Sequence, residues 1–249
     1  MTLLTAFQVL LSCLTGEKDI VIGSPSAGRN WPETEELIGY FVNTLVLRTK
    51  LEGDPDFSAA LRRVRETALG AYGNQDVPFE KLVDELRPQR SLQFNPLFQV
   101  WFVLQNAPSE RQEWRGLTVQ PIDIDSATTR HDLQLALWET EPGPQQDSPD
   151  RVPANGLAGA FTYSTDLFDA ETIERISEQF AALLTIVSEQ PENKLSTLRA
   201  KLDAVGRAYR QQQAELLEDA SREKLKSVKR RAVTGAQSST TNSHETNVN

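Results

Sequence analysis

The stretch AYGNQDVPFEKLVDEL, residues 71–86, places two amides, an aspartate, a proline and a glutamate just before a periodic apolar segment. Pro78 suits the first turn of a helix, because its missing N–H would have no partner there. Asp76 and Glu80 then lie near the positive end of the helix dipole, which favours carboxylates. These polar residues can be interpreted as a reaction centre or as a helix start, and the physical pattern favours the helix start.

Outward from this stretch, hydrophobic periodicity predicts a chain that alternates between helices and strands. Apolar residues at helical spacing indicate helices at residues 3–14, 56–72, 78–86 and 169–190, and residues 195–231 have a helix-forming composition. Segments of strand character lie at residues 19–25, 41–51, 98–106, 117–125, 132–141 and 157–165. This order predicts an α/β or α+β layered fold with helices packed on a mixed sheet.

The first helix has an unusually broad apolar face. Its apolar residues recur every three or four positions, namely Leu3, Leu4, Phe7, Leu10, Leu11 and Leu14. A face of this width needs a large partner surface. No segment of the sequence is an obvious partner, so the pattern predicts a covering surface outside the chain.

Composition limits the classes of function. The 249 residues carry a net charge of −9, which argues against nucleic acid as a partner. Cys13 is the only cysteine, so an internal disulfide is excluded and a reducing cytoplasm is expected. No apolar run is long enough to span a membrane, and the absence of a basic residue before Lys18 argues against a secretion signal.

The last fifth of the sequence differs from the rest. Residues 199–234 keep a helix-forming composition with few apolar positions, which predicts a polar helical extension. Between Arg222 and Arg231 there are six basic residues and one acid, and this segment is either a docking element for an acidic partner or a solvated helix face. Residues 235–249 are expected to be disordered.

The residues that could carry catalysis are few. Nucleophilic catalysis needs Ser, Cys or Thr beside a base, and the two histidines are His131, at a strand end, and His244, in the predicted tail. His131 beside Asp132 could be the base of an independent acyltransferase, although a surface histidine is the commoner case. Two histidines so placed do not make a metal site. The sequence GSPSAG, residues 23–28, lacks the lysine of a phosphate-binding loop and predicts a turn.

Three stretches resemble core motifs of the condensation domains of nonribosomal peptide synthetases. IGYFVNTLVLR (38–48) resembles the fifth motif, Ile/Met-Gly-x-Phe-Val-Asn-Thr ending in Arg, and NQDVPFE (74–80) resembles the sixth, His/Asn-Gln-Asp-x-Pro-Phe-Glu. RSLQFNPLFQV (90–100) resembles the seventh, Arg-Asp-x-Ser-Arg-Asn-Pro-Leu. DIVIGSPSAGR (19–29) and TDLFDAETIERI (165–176) are also similar to the family, and the resemblance covers residues 1–198.

The sequence departs from the family pattern at two places. In the seventh motif Ser91, Gln93 and Phe94 replace Asp, Ser and Arg. The family's catalytic motif, His-His-x-x-x-Asp-Gly, is absent, since no two histidines are adjacent. Its second histidine helps an amine attack a thioester carried on a phosphopantetheine arm. The resemblance therefore implies only the C-terminal lobe, residues 1–198, of a two-lobed fold like that of chloramphenicol acetyltransferase, with no catalytic residue of its own.

The resemblance also implies where this lobe meets its surroundings. Arg29 matches the family arginine that pairs with the motif aspartate of the other lobe, so here we expect it to be solvated or available to another chain. The other motif positions expected at or near this interface are Asn43, Thr44, Arg48, Gln75, Asp76, Pro78, Glu80, Arg90 and Asn95. The lobe would supply one wall of a tunnel for carrier-bound substrates. It would bind no cofactor or metal directly and would meet the phosphopantetheine arm of a partner carrier protein.

Two hypotheses follow from the resemblance. In the first, the chain is a truncated condensation domain for peptide-bond formation, inactive alone and either complemented by a separate N-terminal lobe or a gene remnant. In the second, it is a non-catalytic interaction module that recruits a carrier protein or a tailoring enzyme. An independent acyltransferase using His131 requires that this histidine be buried in a pocket beside a substrate-sized cleft.

Overall fold

A computed structural model describes residues 1–89, 94–105, 117, 128–140 and 156–236. The helices are α1 (Thr2–Thr15), α2 (Pro32–Glu35), α3 (Phe57–Gly73), α4 (Phe79–Leu86), α5 (Ala170–Glu189) and α6 (Leu195–Ala236). The strands are β1 (Asp19–Ser26), β2 (Asn43–Lys50), β3 (Val100–Gln105), β4 (Leu133–Glu139) and β5 (Leu157–Tyr163). The predicted strand at 117–125 lies outside the described residues, except for Leu117.

The five strands form one mixed sheet in the order β2-β1-β3-β4-β5. β1 is antiparallel to β2 and parallel to β3, β3 is parallel to β4, and β4 is antiparallel to β5. Because alternate residues of a strand point to opposite faces, one face of the sheet carries a row of buried leucines. These are Leu45 and Leu47 in β2, and Leu133, Leu135 and Leu137 in β4. Residues of α1, α3, α5 and α6 complete the same core, so the predicted α/β layering with a mixed sheet is confirmed.

Helix α1 is buried within this lobe from Leu4 to Cys13. It packs against α3, α5 and β1. The Phe7 ring lies 6.0–6.3 Å, between centroids, from three other rings: Phe102, Phe161 and Phe180. The expectation that α1 needs a covering surface outside the chain is therefore wrong. Periodicity shows that a face is apolar, but it does not show that elements about 100 to 170 residues away will cover it.

Aspartates cap two of the predicted helices. The Asp56 carboxylate accepts a hydrogen bond from the Ala59 N–H at 2.7 Å, and that of Asp169 accepts from the Thr172 N–H at 2.6 Å. Hydrogen bonds from the side chain and backbone of Thr172 hold the pKa of Asp169 below its ordinary value. These caps satisfy N–H groups that have no partner inside the helix, and they fix where α3 and α5 begin.

The chain divides into two compact units, Met1–Leu202 and Asp203–Asn249. Leu198 and Leu202 are both buried in the core of the first unit. In the second unit α6 continues to Ala236, and residues 237–249 of the expected tail lie outside the described residues. Among the helices that are described, none has the length and apolar character needed to cross a membrane.

Gly23 of β1 offers a direct test of the packing, because a Cβ at this position would lie 2.3 Å from the Phe98 ring. Phe98 is only 2 % exposed, so its ring cannot move aside without displacing neighbouring buried side chains. We expect Gly23→Ala to lower the free energy of unfolding by about 2 kcal/mol or more. Gly70→Ala is the control, since a Cβ there meets nothing within 4 Å and should stabilise α3 by about 0.5 kcal/mol. Equal urea unfolding curves for the two variants would contradict this packing.

Candidate functional site

The Asn43 side chain joins the start of β2 to the NQDVPFE stretch. Its Nδ2 donates hydrogen bonds to the backbone carbonyls of Gln75 and Val77, both at 2.7 Å. Its Oδ1 accepts from the N–H groups of Thr44 at 2.8 Å and Phe79 at 3.3 Å. Both donors and both acceptor positions of this amide are therefore used within the lobe. The motif asparagine acts as a clamp that fixes residues 75–79 on the edge of the sheet.

A second set of hydrogen bonds ties the same stretch to the loop after β1. Ser26 Oγ donates to Gln75 Oε1, and Asn30 Nδ2 donates to Asp76 Oδ1 at 3.3 Å. No sequence motif marks Ser26 or Asn30 as a site residue. Their only signal is position: Ser26 lies in the GSPSAG turn, and Asn30 directly follows the family-like stretch DIVIGSPSAGR. The clamp is therefore three-sided, with contributions from β1, β2 and the segment before α4.

The Arg29 guanidinium is engaged inside its own lobe. It donates to the carbonyls of Thr34 and Glu35 (3.2 Å for Glu35) and to that of Gly39 at 3.5 Å. It also lies 4.4 Å from the centroid of the Phe41 ring, within the range of a cation–π contact. The expectation that Arg29 is solvated or available to another chain does not describe this arrangement. The carbonyls of its own loop take the place of a partner carboxylate.

These residues border a cleft of about 360 Å³. Its lining includes the end of β1, the start of α1, the middle of β3 and the end of α3. The polar lining residues are Ser24, Ser26, Arg29, Asn30, Tyr72 and Gln75. Leu4 and Phe102 add apolar lining. The cleft thus combines hydroxyl and amide groups and the Arg29 guanidinium with apolar side chains.

The other predicted site residues lie at varied distances from this cleft. Pro78 is the N-cap residue of α4, and Glu80 lies in its first, exposed turn, as the helix interpretation predicts. Thr44 pairs with Pro25 across β1 and β2. Arg48 is near the far end of β2, where its guanidinium contacts Asp19 at 2.6 Å and holds the pKa of that carboxyl below its ordinary value.

Asn95, of the seventh motif, orients an aromatic ring and does not line the cleft. Its Oδ1 accepts from the Leu97 N–H at 3.2 Å and the Phe98 N–H at 3.4 Å. This turn places the Phe98 ring against β1 at Gly23. Arg90 lies outside the described residues.

Phe98 belongs to an aromatic cluster, which we define as Phe79, Phe98, Trp101 and His131. Ring centroids are 5.8 Å apart for Phe79 and Phe98, 5.7 Å for Phe98 and Trp101, and 4.8 Å for Trp101 and His131, which stack almost parallel. Phe79 and Phe98 come from the sixth and seventh motif stretches. The cluster therefore joins both motifs to the sheet, a contact that the sequence motifs do not predict.

His131 is half-buried in this cluster and is not the exposed strand-end residue that was favoured. Burial lowers its pKa, an effect opposed by a hydrogen bond with Gln134, and the charges of Arg130 and Asp132 act in opposite directions. Its contacts with Trp101 and Phe98 are those of a packing residue. Within the described residues, no group of His, Cys, Asp or Glu could hold a metal ion.

Residues 1–207 match the family model described as the condensation domain. Two of the subunits of linear gramicidin synthase from Brevibacillus parabrevis are close relatives, one 53 % identical to this chain over 194 residues and another 48 % identical over 200 residues. The alignments cover 77 % and 80 % of this chain, but only 2 % and 4 % of those proteins. The chain belongs to the condensation domain family, as the motifs predicted.

Solved structures show the same relationship. The X-domain from teicoplanin biosynthesis is 28 % identical with a TM-score of 0.67, and the match covers 79 % of this chain and 42 % of the X-domain chain. A complex of the X-domain and OxyB matches at 30 % identity and a TM-score of 0.66, covering 79 % of this chain and 41 % of that one. The condensation domain of the Monacolin K polyketide synthase MokA shares the fold, with 21 % identity, a TM-score of 0.62, and 78 % and 42 % coverage. The chain spans less than half of these solved chains.

Asn43→Asp tests the clamp with almost no change in shape. A carboxylate here would set an acceptor against two carbonyl oxygens, so we expect it to lower the free energy of unfolding by about 2 kcal/mol at neutral pH. Protonation restores a donor, so the pKa of the new carboxyl is raised in the folded state and the lost stability returns as the pH falls through it. Urea unfolding at pH 7 and pH 4 measures the difference from the wild type.

The control for this variant is Asn74→Asp. The side-chain amide of Asn74 is exposed and donates a hydrogen bond to the Gly70 carbonyl at 2.9 Å. We expect it to cost less than about 1 kcal/mol, because an exposed hydrogen bond contributes little. If Asn43→Asp and Asn74→Asp have the same stability at both pH values, Asn43 does not act as a clamp.

His131→Phe tests the packing role of the histidine. Because the folded-state pKa of His131 is lowered, its contribution to stability is complete above the ordinary pKa of about 6.5 and is lost as the pH falls through the folded-state value. Phenylalanine keeps the stacking and cannot titrate. We expect the variant to lose less stability than the wild type between pH 7 and pH 5, measured by urea unfolding. If the free energies of unfolding of the variant and the wild type change equally between pH 7 and pH 5, protonation of His131 does not affect folding stability.

Proposed function

We propose that residues 1–198 are the C-terminal lobe of a condensation domain and form one wall of a site that joins two carrier-bound aminoacyl groups. The observation that supports this most strongly is the clamp at Asn43. It uses the family's motif residues to hold Gln75 beside a cleft lined by hydroxyl and amide groups. A pantetheine arm is a chain of amides and methylenes, and such a lining can hydrogen-bond it along its length.

The proposed reaction transfers an acyl group from sulfur to nitrogen. The amine of the acceptor attacks the carbonyl carbon of the donor thioester, the new C–N bond forms and the C–S bond breaks. The proton leaves the amine for a base and is returned to the departing thiolate of the donor's phosphopantetheine arm. This lobe positions the thioester-bearing arms and excludes water, while the base comes from a histidine motif outside these 249 residues. That motif belongs to a complementary lobe, in the same polypeptide or in a second one.

The loop 31–42 supports the idea of a complementary lobe. It exposes large apolar side chains that soluble surfaces rarely group together: Trp31 at 69 %, Leu37 at 52 %, Ile38 at 105 %, Tyr40 at 89 % and Val42 at 44 %. The loop is held in shape by Arg29, through the three carbonyls and the Phe41 ring described above. Gly28, with φ of +65°, allows the close approach of the Phe41 carbonyl. We assign this loop to the interface with the complementary lobe.

The partners in this proposal are carrier proteins that bear phosphopantetheine arms. In this proposal residues 199–234 continue α6 as a helical extension, and the chain binds no cofactor or metal directly. Of the motif positions, Arg29 and Gln75 line the cleft, Asn43 holds the Gln75 backbone, and Asp76 accepts a hydrogen bond from Asn30. Pro78 is the N-cap residue of α4, and Asn95 accepts hydrogen bonds from the N–H groups of Leu97 and Phe98.

A second function is recruitment of a tailoring enzyme. It is favoured by the match to the complex of the X-domain and OxyB, in which a domain of this fold is bound to a second protein. In this case the lobe would present a binding surface and carry out no condensation. The presence or absence of condensation activity after complementation separates the two functions.

A lobe-exchange experiment tests the proposal. In a condensation domain of linear gramicidin synthase, the 194-residue segment that matches this chain at 53 % identity is replaced by the present sequence. We expect the chimera to form the dipeptidyl thioester from two loaded carrier proteins, detected by intact-protein mass spectrometry, at no less than about a tenth of the parental rate. The same segment alone, mixed with the loaded carriers, should give no product.

Asn43→Asp in the chimera is the site control, and Arg48→Gln is the matched control at the far end of β2. We expect the first to reduce the rate at least about tenfold, since a small displacement of a cleft wall has effects of this size, and the second to leave it unchanged. A folded but inactive chimera would contradict condensation and favour recruitment. Condensation by the isolated chain would contradict the need for a complementary lobe.

A further inference from the structure

Helix α3 carries four exposed side chains along one side. We call Arg62, Arg65, Leu69 and Tyr72 the α3 stripe. Their spacing of three, four and three residues places them on one side of the helix, because a turn holds 3.6 residues. Leu69 is 55 % exposed and Tyr72 is 42 % exposed, whereas the buried residues of α3 lie on another side. Within the described residues, the stripe is therefore a helix face that the lobe leaves uncovered.

The two arginines of the stripe have no counter-charge nearby. Neither Arg62 nor Arg65 forms a hydrogen bond or an ion pair with another described residue. Glu66 lies on the other flank of the helix, where it lines the groove beside β2. Arg63 also lies on that flank and donates to carbonyls at the end of β2 and just after it. The stripe thus presents two exposed guanidinium groups on a chain with a net charge of −9.

The stripe ends at the cleft. Tyr72 belongs to both surfaces, since it lines the cleft together with Ser26 and Gln75. The Asn43 clamp fixes the backbone of Gln75 just after the end of α3, so the stripe and the cleft are held side by side. From Arg62 to Tyr72 the ten residues span about 15 Å along the helix axis. A protein bound along the stripe would therefore lie beside the opening of the cleft.

We propose that the α3 stripe is a docking surface for an acidic face of a carrier protein, whose arm then enters the cleft past Tyr72. This inference rests on the proposed function, in which the cleft receives a phosphopantetheine arm. The arginines attract an anionic surface and orient it as it approaches. Leu69 and Tyr72 supply apolar contact next to the cleft. Arginine and aromatic side chains are also the types that are enriched at protein interfaces.

A carrier protein accounts for both properties of the stripe, its charge and its position. A partner without an arm would use the arginines but would gain nothing from the adjacent cleft. The stripe consists of only four side chains, so the interface is at the small end of the range for specific contacts. We expect weak binding, with a dissociation constant on the order of 100 µM. Weak binding allows the carrier to leave after each transfer.

Carrier proteins without their arm test the docking surface separately from the cleft. The two carrier proteins of the chimera assay, in the form that lacks phosphopantetheine, are titrated into the isotope-labelled full chain and followed by nuclear magnetic resonance. We expect at least one of them to bind and to shift the amide signals of α3. R62E/R65E should weaken this binding at least about tenfold, because it reverses the attraction. Leu69→Gln, which keeps helix propensity, should weaken it at least about threefold.

The matched control is R207E/R210E in α6. It reverses two exposed arginines that are also three residues apart and changes the net charge by the same amount. We expect it to leave carrier binding unchanged. An equal loss of binding in the two double variants would show attraction by net charge alone and would overturn the inference. So would a folded wild-type chain that binds neither carrier, or one whose shifted amides lie outside α3.

Kinetics in the chimera separate this inference from the proposed function. R62E/R65E should raise the KM for the docked carrier with kcat nearly unchanged, because it weakens binding and leaves the cleft intact. An active chimera whose KM is the same with and without R62E/R65E would overturn docking at the stripe while condensation stands. An inactive chimera that still binds the carrier through Arg62 and Arg65 would contradict the proposed function and support the docking surface.

Discussion

The Asn43 amide is the interaction on which the candidate site depends. The antiparallel register of β1 and β2 sets Asn43 opposite Ser26, at the point where the loop after β1 begins. From there one side chain fixes the backbone of Gln75, Val77 and Phe79. The start of α4, the position of the Phe79 ring in the aromatic cluster and one wall of the cleft all follow from this contact. A single amide thus couples the sheet register to the shape of the site.

In the proposed function, the core needs no second lobe but the reaction does. Helix α1 is covered by α3, α5 and the sheet, so burial of its apolar face does not depend on a second lobe. The cleft, in contrast, is lined by groups that bind and orient, and His131, which could act as a base, is engaged in stacking. Folding stability therefore does not require the proposed complementary lobe, whereas the proposed reaction does. The exposed loop 31–42 and the absence of a histidine pair bear on the proposed reaction. They do not bear on the apolar core, which the chain's own helices and sheet already cover.

The sequence allowed the fold class, the family and most element positions to be predicted, because these depend on local periodicity, caps and ordered motifs. Asp56, Asp169 and Pro78 begin helices as expected, since a helix start is a local property. The partners of α1 could not be predicted, because they come from distant segments. The same holds for Arg29, which contacts the carbonyls of its own loop although it was expected to be solvated or available to another chain. It also holds for His131, whose stacking on Trp101 depends on the register of β3 and β4. Ser26 and Asn30 joined the site through contacts 46 to 49 residues away.

Amide hydrogen exchange at two positions gives the most direct test of the clamp. The N–H groups of Thr44 and Phe79 both donate hydrogen bonds to Asn43 Oδ1. Replacing Asn43 with alanine removes this acceptor. In Asn43→Ala we predict that these two amides exchange at least about tenfold faster by nuclear magnetic resonance, while Leu135 in the central strand β4 keeps its protection. Unchanged protection of Thr44 and Phe79 in a folded Asn43→Ala variant would contradict the account.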